Sequence, residues 1–569
     1  MLEQYIDAAV GRKKAETVLK NGRFVNVFTG EICEGDIAVE GGKIVGFGKY
    51  EGETEYDLAG KTAVPGLIDA HVHIESSQLS PEEFARLVLP RGTTTAIADP
   101  HEITNVCGIA GAKYIADASK NTPLEVKVML PSCVPATAFE TSGATLTGAD
   151  TEKYIGADFI HGLGEFMNYP GVLYKDSEVM KKLAAARKAG KVIDGHAPAT
   201  SELGLNAYIA AGISTDHECT SPEEALEKVS KGMYVHLREG SATRNVAANC
   251  GAANAANLRR FLLCTDDRHA ADLKAKGHLD NALRVAVAAG MNPVWAIIAA
   301  TLNSAECYRL YGKGAIAPGY DADIAVFDDL KNFNCAMVFK GGRLVAKEGK
   351  ALFKTGEKYL PAEVKNTVHV GNVAPDDFKI KLKGRRANVI RLLKDNVVTE
   401  KVVREIESEN GDVKLCGTDL LKLAVVERHH GTGNIGLGLL EGYGLKNGAI
   451  ALTIAHDSHN IIVLGDNNAD MAAAVAELKR IGGGMAIAEG GKTQSLPLDI
   501  AGLMSSLPAE EYIAQSEKLL EKAYSMGVSR DVEAFMSLSF LALLVIPSLK
   551  LSDRGLFDAD KFELCSIDA

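Results

Sequence analysis

The 569-residue sequence has no excess of positive charge. Its formal net charge is −12, which argues against nucleic acid or an anionic membrane as the main partner. No basic region followed by an apolar run opens the chain at Met1-Leu-Glu-Gln-Tyr5, so no signal peptide is expected. No apolar run is long enough to cross a bilayer, since the most apolar late stretch, 535–547, is short and interrupted by serines. The ten cysteines include no Cys-x-x-Cys pair and lie in apolar or strand-like segments such as Phe261-Leu-Leu-Cys264. That is the pattern of buried free thiols in a reducing compartment, not of a disulfide framework. Gly482-Gly483-Gly484 is not followed by Gly-Lys-Ser/Thr, so it reads as a tight turn and not a phosphate cradle. What is left is a cytoplasmic globular protein, long enough for several domains and a large core.

The chain changes rhythm twice. After a helical lead-in over 1–15, residues 17–62 carry short apolar runs around turns at Asn21-Gly22 and Gly41-Gly42, the signature of hairpins. From residue 63 strands alternate with helices. Candidate strands are 65–73, 93–99, 124–132, 158–166, 191–197, 213–217, 233–239 and 261–267. The intervening segments read as helices at 177–189, at 221–231 and after Pro81, with Ser80 as a cap. Eight such units predict an α/β fold, a (β/α)8 TIM barrel. Short strands return after residue 314, with another hairpin at Gly341-Gly342. The expected organisation is a composite β-sandwich from 1–62 plus 312–365, a catalytic barrel over 63–311, and an additional C-terminal α/β domain over 380–569. The polar, irregular stretch 356–385 reads as a linker.

Catalytic groups of such barrels sit at the carboxyl ends of the strands, so those ends matter most. The first ends in Ala70-His71-Val72-His73, two imidazoles on one face of a strand. Others end in His161-Gly-Leu-Gly-Glu165, Asp194-Gly-His196, Thr215-Asp-His-Glu218 and Cys264-Thr-Asp-Asp-Arg268. Four histidines and two carboxylates from five strands would meet at one mouth, too many to be a coincidence of satisfied polar residues. They suit a binuclear metal site: His71, His73 and Asp266 on one ion, His196 and His217 on the other, and Glu165 bridging with its two oxygens. Two such ions would lower the pKa of a shared water to about 7. His101 and Glu102, at the end of the second strand, are expected to orient ligands or to line the pocket.

These residues carry a resemblance. Pro65-Gly-Leu-Ile-Asp-Ala-His-Val-His73, the Gly-His and Asp-His strand ends, Thr265-Asp-Asp267 and Ile316-Ala-Pro-Gly-Tyr-Asp-Ala-Asp323 resemble the amidohydrolase superfamily over about 17–350. Many binuclear members bridge their metals with a carboxylated Lys on the fourth strand, where this sequence has Glu165. Ala98-Asp-Pro-His-Glu-Ile-Thr-Asn105, Leu237-Arg-Glu-Gly-Ser241 and His456-Asp-Ser-His-Asn460 are similar to the bacterial-type adenine deaminases, a likeness that extends over essentially the whole chain. The pattern of the zinc nucleobase deaminases is absent, with no Pro-Cys-x-x-Cys.

The resemblance implies hydrolysis of adenine to hypoxanthine and ammonia, in purine salvage, with two divalent ions, manganese or iron before zinc. Partners would be adenine and water, without nucleic acid or membrane, and a homodimer is expected. Asp266 would take a proton from the attacking water and pass it to the amine, while Asp267 would orient the purine. Glu239 is the candidate acid for a ring nitrogen, with Arg238 and Ser241 as further substrate contacts. The C-terminal domain is expected to cap the barrel and to deliver His456, Asp457 or His459 to the pocket. The alternatives are an amidohydrolase acting on a cyclic amide or an N-acetyl substrate, or a catalytically silent scaffold.

Overall fold

A computed structural model describes residues 2–356, 358–394, 396–415 and 419–569. Its organising strand, β1 (Leu67–His73), has all seven residues buried, because one face looks into a barrel and helices cover the other. β2 (Thr93–Ala98), β3 (Glu125–Leu130), β4 (Ile160–Phe166) and β5 (Ile193–Gly195) follow in parallel pairing. β6 (Thr215–Asp216), β7 (Tyr234–Arg238) and β8 (Phe261–Cys264) form a second parallel run. Two junctions close the (β/α)8 ring. The Ser214 N–H donates to the Ile193 carbonyl at 3.1 Å, and Asp266–Asp267 pair with Val72 and His73.

The helix Pro81–Val88 starts after Ser80, as the sequence suggests, but the Ser80 hydroxyl makes no capping bond. The Glu83 carboxylate of its first turn accepts from the Ala509 N–H at 3.0 Å instead, so this helix start also holds the C-terminal unit.

Segments on either side of the barrel share one sheet, in which Thr62–Pro65 pairs antiparallel with Ile324–Phe327. That seven-stranded sheet and the four-stranded sheet built from Ala15–Lys20, Asp36–Glu40, Lys43–Gly48 and Gly52–Asp57 enclose Leu19, Phe24, Ile37, Ile44 and Phe339. Residues 358–385 are irregular but packed. Phe378 is buried, and the His369 N–H donates to the Arg428 carbonyl at 2.7 Å. The C-terminal unit has an eight-stranded sheet with the helix Asn468–Ile481 against it. Gly482, at φ 79°, ends that helix in the left-handed conformation glycine favours, so the triple glycine is a helix-to-strand turn.

This unit sits on the barrel. Asn460 Nδ2 donates to the Thr141 carbonyl at 2.7 Å, Ser552 Oγ to the Phe139 carbonyl at 2.7 Å, and the Ser80 N–H to the Ser505 carbonyl at 3.2 Å. One apolar core runs from Val72 and Leu130 of the barrel to Leu452, Phe535 and Leu541.

A buried ion pair ties two strand ends together. Asp216 accepts from Lys228 Nζ at 2.8 Å, from the Ala197 N–H at 2.7 Å and from the Glu218 N–H at 3.2 Å. Burial would raise its pKa, but the Lys228 ammonium outweighs this and holds the carboxyl well below the ordinary range. Lys228→Met leaves that carboxylate buried without its cation, which costs about 3–5 kcal/mol and lowers the thermal midpoint. Because the folded pKa of Asp216 is depressed, its contribution is present above the unfolded value of about 3.9 and is lost only as pH falls through the folded value. The midpoint gap between wild type and variant should be widest where the variant's carboxylate is ionised and should narrow on acidification, since burial without Lys228 raises that carboxyl's pKa and protonation relieves it. Thermal scans in which the gap does not narrow as pH falls would contradict this account.

Candidate metal centre and active site

His71 and His73 project from the same face of β1, with their Nε2 atoms 3.2 Å apart. Asp266 Oδ1 lies 3.3 Å from His71 Nε2 and 3.2 Å from His73 Nε2. Asp266 adopts φ 57°, a left-handed conformation that aspartate tolerates and that is often kept at functional sites. Glu165 spans the group. Its Oε1 is 3.2 Å from His73 Nε2, and its Oε2 is 2.8 Å from His196 Nδ1 and 3.4 Å from His217 Nε2. His73 Nδ1 lies 2.7 Å from the Asp99 carbonyl. Nδ1 must carry the proton for that bond, which leaves the Nε2 lone pair aimed at the cluster.

These donors fit a pair of divalent ions. His71, His73, Asp266 and Glu165 Oε1 surround one position; His196, His217 and Glu165 Oε2 surround the other. Imidazole nitrogens and carboxylate oxygens converging with few competing donors suit zinc, iron or manganese alike. His101 stands against the same cluster, with Nδ1 3.4 Å from Glu165 Oε1 and its ring edge-on to His73.

The charges are compensated within the group. Burial works against a charged His217, but Glu165 outweighs it and the pKa rises to about 9. Burial also works against ionised Asp266, but Arg238 holds its carboxyl well below the usual range. Divalent cations bound there would take over part of this compensation, displacing protons from the imidazoles.

A cavity of about 540 Å³ opens over the cluster. Arg238 lines it, donating from Nη1 to Asp266 Oδ2 at 3.0 Å and from Nη2 to Glu218 Oε2 at 3.1 Å. Asp267 also lines it and accepts from Ser76 Oγ. Two expected substrate contacts do not reach it. Ser241 Oγ donates to Asp272 at 2.6 Å and accepts from the His269 N–H at 3.0 Å, so it shapes its own loop. Glu239 is not in the cavity wall. Burial raises its pKa against the pull of the Arg268 and Arg244 guanidiniums. The reason is geometric: β7 ends at Arg238, and strand alternation no longer predicts where the next residues point.

The Amidohydrolase family model matches residues 62–345, and the model of the adenine deaminase C-terminal domain matches residues 396–563. The chain is 48% identical to an adenine deaminase of Clostridium acetobutylicum over 565 residues, 99% of each chain. It is 49% identical to adenine deaminase 2 of Carboxydothermus hydrogenoformans over 568 residues, 100% of this chain and 99% of the relative. The chain belongs to the adenine deaminase family. The match runs through the C-terminal unit as well, which the cyclic-amide, N-acetyl and silent-scaffold readings do not require.

The C-terminal unit of this adenine deaminase family member reaches the site through one carboxylate. Glu102 Oε1 lies 2.7 Å from His456 Nδ1, and Oε2 bonds His459 Nε2. The Ala455 N–H donates to His459 Nδ1 at 3.3 Å, so His459 carries its proton on Nε2 and gives it to Glu102. That tautomer makes the trio a hydrogen-bonded clamp between barrel and cap and disfavours a third metal site. His456 and Asp457 line the cavity, while His459 stays behind them. His456 also stacks on Phe540 at 4.7 Å, and residues 540–547 contribute an apolar roof.

Sequence reasoning missed Glu218, which lies 3.4 Å from His217 Nε2 and 3.8 Å from His196 Nδ1. Its place beside His217 in a strand-end motif was the available signal, but simple alternation puts neighbours on opposite faces. Two divalent ions per chain are expected after metal loading and none after exhaustive chelation, by elemental analysis. Glu165→Gln should lose at least one of them. Full retention of both ions in that variant would contradict a role for Glu165 in holding them.

Proposed function

We propose that the chain hydrolyses adenine to hypoxanthine and ammonia, a step of purine salvage. The observation that carries this is near-complete coverage by adenine deaminases at 44–49% identity, together with a buried His/carboxylate cluster under a cavity of about 540 Å³. Two divalent ions, manganese or iron with zinc as the alternative, would be held by His71, His73, Glu165, His196, His217 and Asp266. Bound there, they supply Lewis acidity that lowers the pKa of water towards about 7.

The side chains do the rest. Asp266 keeps one oxygen on Arg238 and turns the other to His71 and His73, so it is ionised and placed to take a proton from attacking water. The water oxygen bonds to C6. One of its protons leaves with the amine through Asp266, and the other ends on a ring nitrogen of the lactam product. Asp267, fixed by Ser76, faces the same cavity and orients the purine. Glu239, outside the cavity wall, is not given the ring-nitrogen role. The roof of residues 540–547 packs on the flat base and excludes water. Among the described residues, no helix is long and apolar enough to cross a membrane. A cytoplasmic homodimer is the setting we assign.

The test is ammonia release from adenine by stripped protein resupplied separately with manganese, iron or zinc. Turnover should return with manganese or iron. Asp266→Asn should lower kcat by about 100- to 10,000-fold while the metal content of His196 and His217 persists. Silence on adenine with every metal would overturn the proposal.

A further inference from the structure

Asp457 is buried at 4% exposure and lines the same cavity as Glu165 and Asp266, yet among the described residues its Oδ2 has no hydrogen-bond partner. Neighbouring carboxylates in the wall are engaged. Both oxygens of Glu102 hold histidines, Asp267 holds Ser76, and Glu218 holds Arg238. Asp457 is also fixed in place. His456 before it is bound to Glu102, and the Ser458 carbonyl after it lies 2.7 Å from His429 Nε2. A buried polar atom without a partner is costly, and one held this firmly in the wall of a substrate cavity is explained when the ligand supplies the partner.

Its position selects which part of a ligand that is. Asp457 Oδ1 lies 3.9 Å from His101 Nε2, and the other nitrogen of that ring lies 3.4 Å from Glu165 Oε1. One imidazole width therefore separates Asp457 from the metal cluster. In the adenine reading, on which this inference rests, C6 lies at the cluster and the five-membered ring points away from it. Free adenine carries an N–H on that ring; a purine substituted at N9 does not.

We propose that Asp457, supplied by the C-terminal unit, accepts the N–H of the five-membered ring and makes the site specific for the free base. It is a specificity-determining contact and takes no part in the proton transfers at C6. A site built to pair a substrate N–H rejects the analogue that lacks it, because its own polar atom is then left buried and unpaired.

The experiment compares adenine with 9-methyladenine, which has no ring N–H, on metal-loaded wild type, Asp457→Asn and Asp457→Ala. Wild type should prefer adenine. Asp457→Ala should lose about 10- to 100-fold in kcat/KM on adenine, mostly in KM, with turnover of 9-methyladenine unchanged or raised, so that the preference collapses. Asp457→Asn, which keeps an acceptor oxygen, should retain part of it. Equal losses on both substrates would overturn the inference. If neither variant folds with full metal content, the affinities of wild type for hypoxanthine and 9-methylhypoxanthine decide: a clear preference for hypoxanthine supports the contact, and equal affinities overturn it. A wild type active on adenine but indifferent to the methyl group sinks this inference alone. A wild type inactive on adenine sinks the adenine reading and this inference with it.

Discussion

The barrel mouth depends on where the two oxygens of Glu165 point. A carboxylate at 3% exposure must be compensated, and one that serves His73 on one side and His196 and His217 on the other cannot move without uncovering a charge. Its backbone is locked accordingly. The Glu165 N–H donates to Asp99 Oδ2 at 2.7 Å, and its carbonyl accepts from Ser132 Oγ. Gly164 lets Asp99 come this close, since a Cβ there would lie 2.2 Å from Asp99 Oδ2. Asp99 is thus the joint of the site: its side chain sets Glu165 on β4, and its carbonyl sets the tautomer of His73 on β1.

The second constraint is that the mouth is not finished by the barrel. Glu102, which follows β2, reaches upward to His456 and His459. That clamp fixes His456, and His456 supports Phe540 by stacking. Lys550, buried and without an acidic partner among the described residues, ties the same roof from behind by donating to the Val397 carbonyl at 2.8 Å and to the Phe540 carbonyl at 3.1 Å. Burial alone pushes its pKa down to about 7. The cavity roof and the His/carboxylate cluster beneath it therefore come from different parts of the chain, joined by a few polar contacts over one continuous apolar core.

Much of the architecture is legible in the residues because periodicity is a local property. The alternation of apolar strands and helices predicts the eight-fold unit, and the (β/α)8 barrel is what forms. The strand-end motifs name the six titratable groups that converge at its mouth, since strand ends of such a barrel share one rim whatever the details of packing. Legibility fails where a side chain's direction is set after a strand has ended. Glu239 and Ser241 follow β7, and Glu218 follows β6, so period-two alternation says nothing about which of them faces the cavity. It also fails for Ser80, whose capping position is readable but whose bond is displaced by a contact from residue 509.

The sequence by itself determined the barrel, the His-x-His strand, the strand-end histidines and carboxylates that meet at its mouth, and the family, because each is written in short-range spacing. Only the tertiary structure decided that Glu218 stands beside the histidines, that Glu102 clamps the cap, and that Asp457, in the cavity wall, keeps one oxygen unpaired among the described residues. The clamp depends on a contact between residues hundreds of positions apart, Glu102 with His456, and the place of Glu218 on where a side chain points once its strand has ended; both are fixed by packing and not by any local pattern.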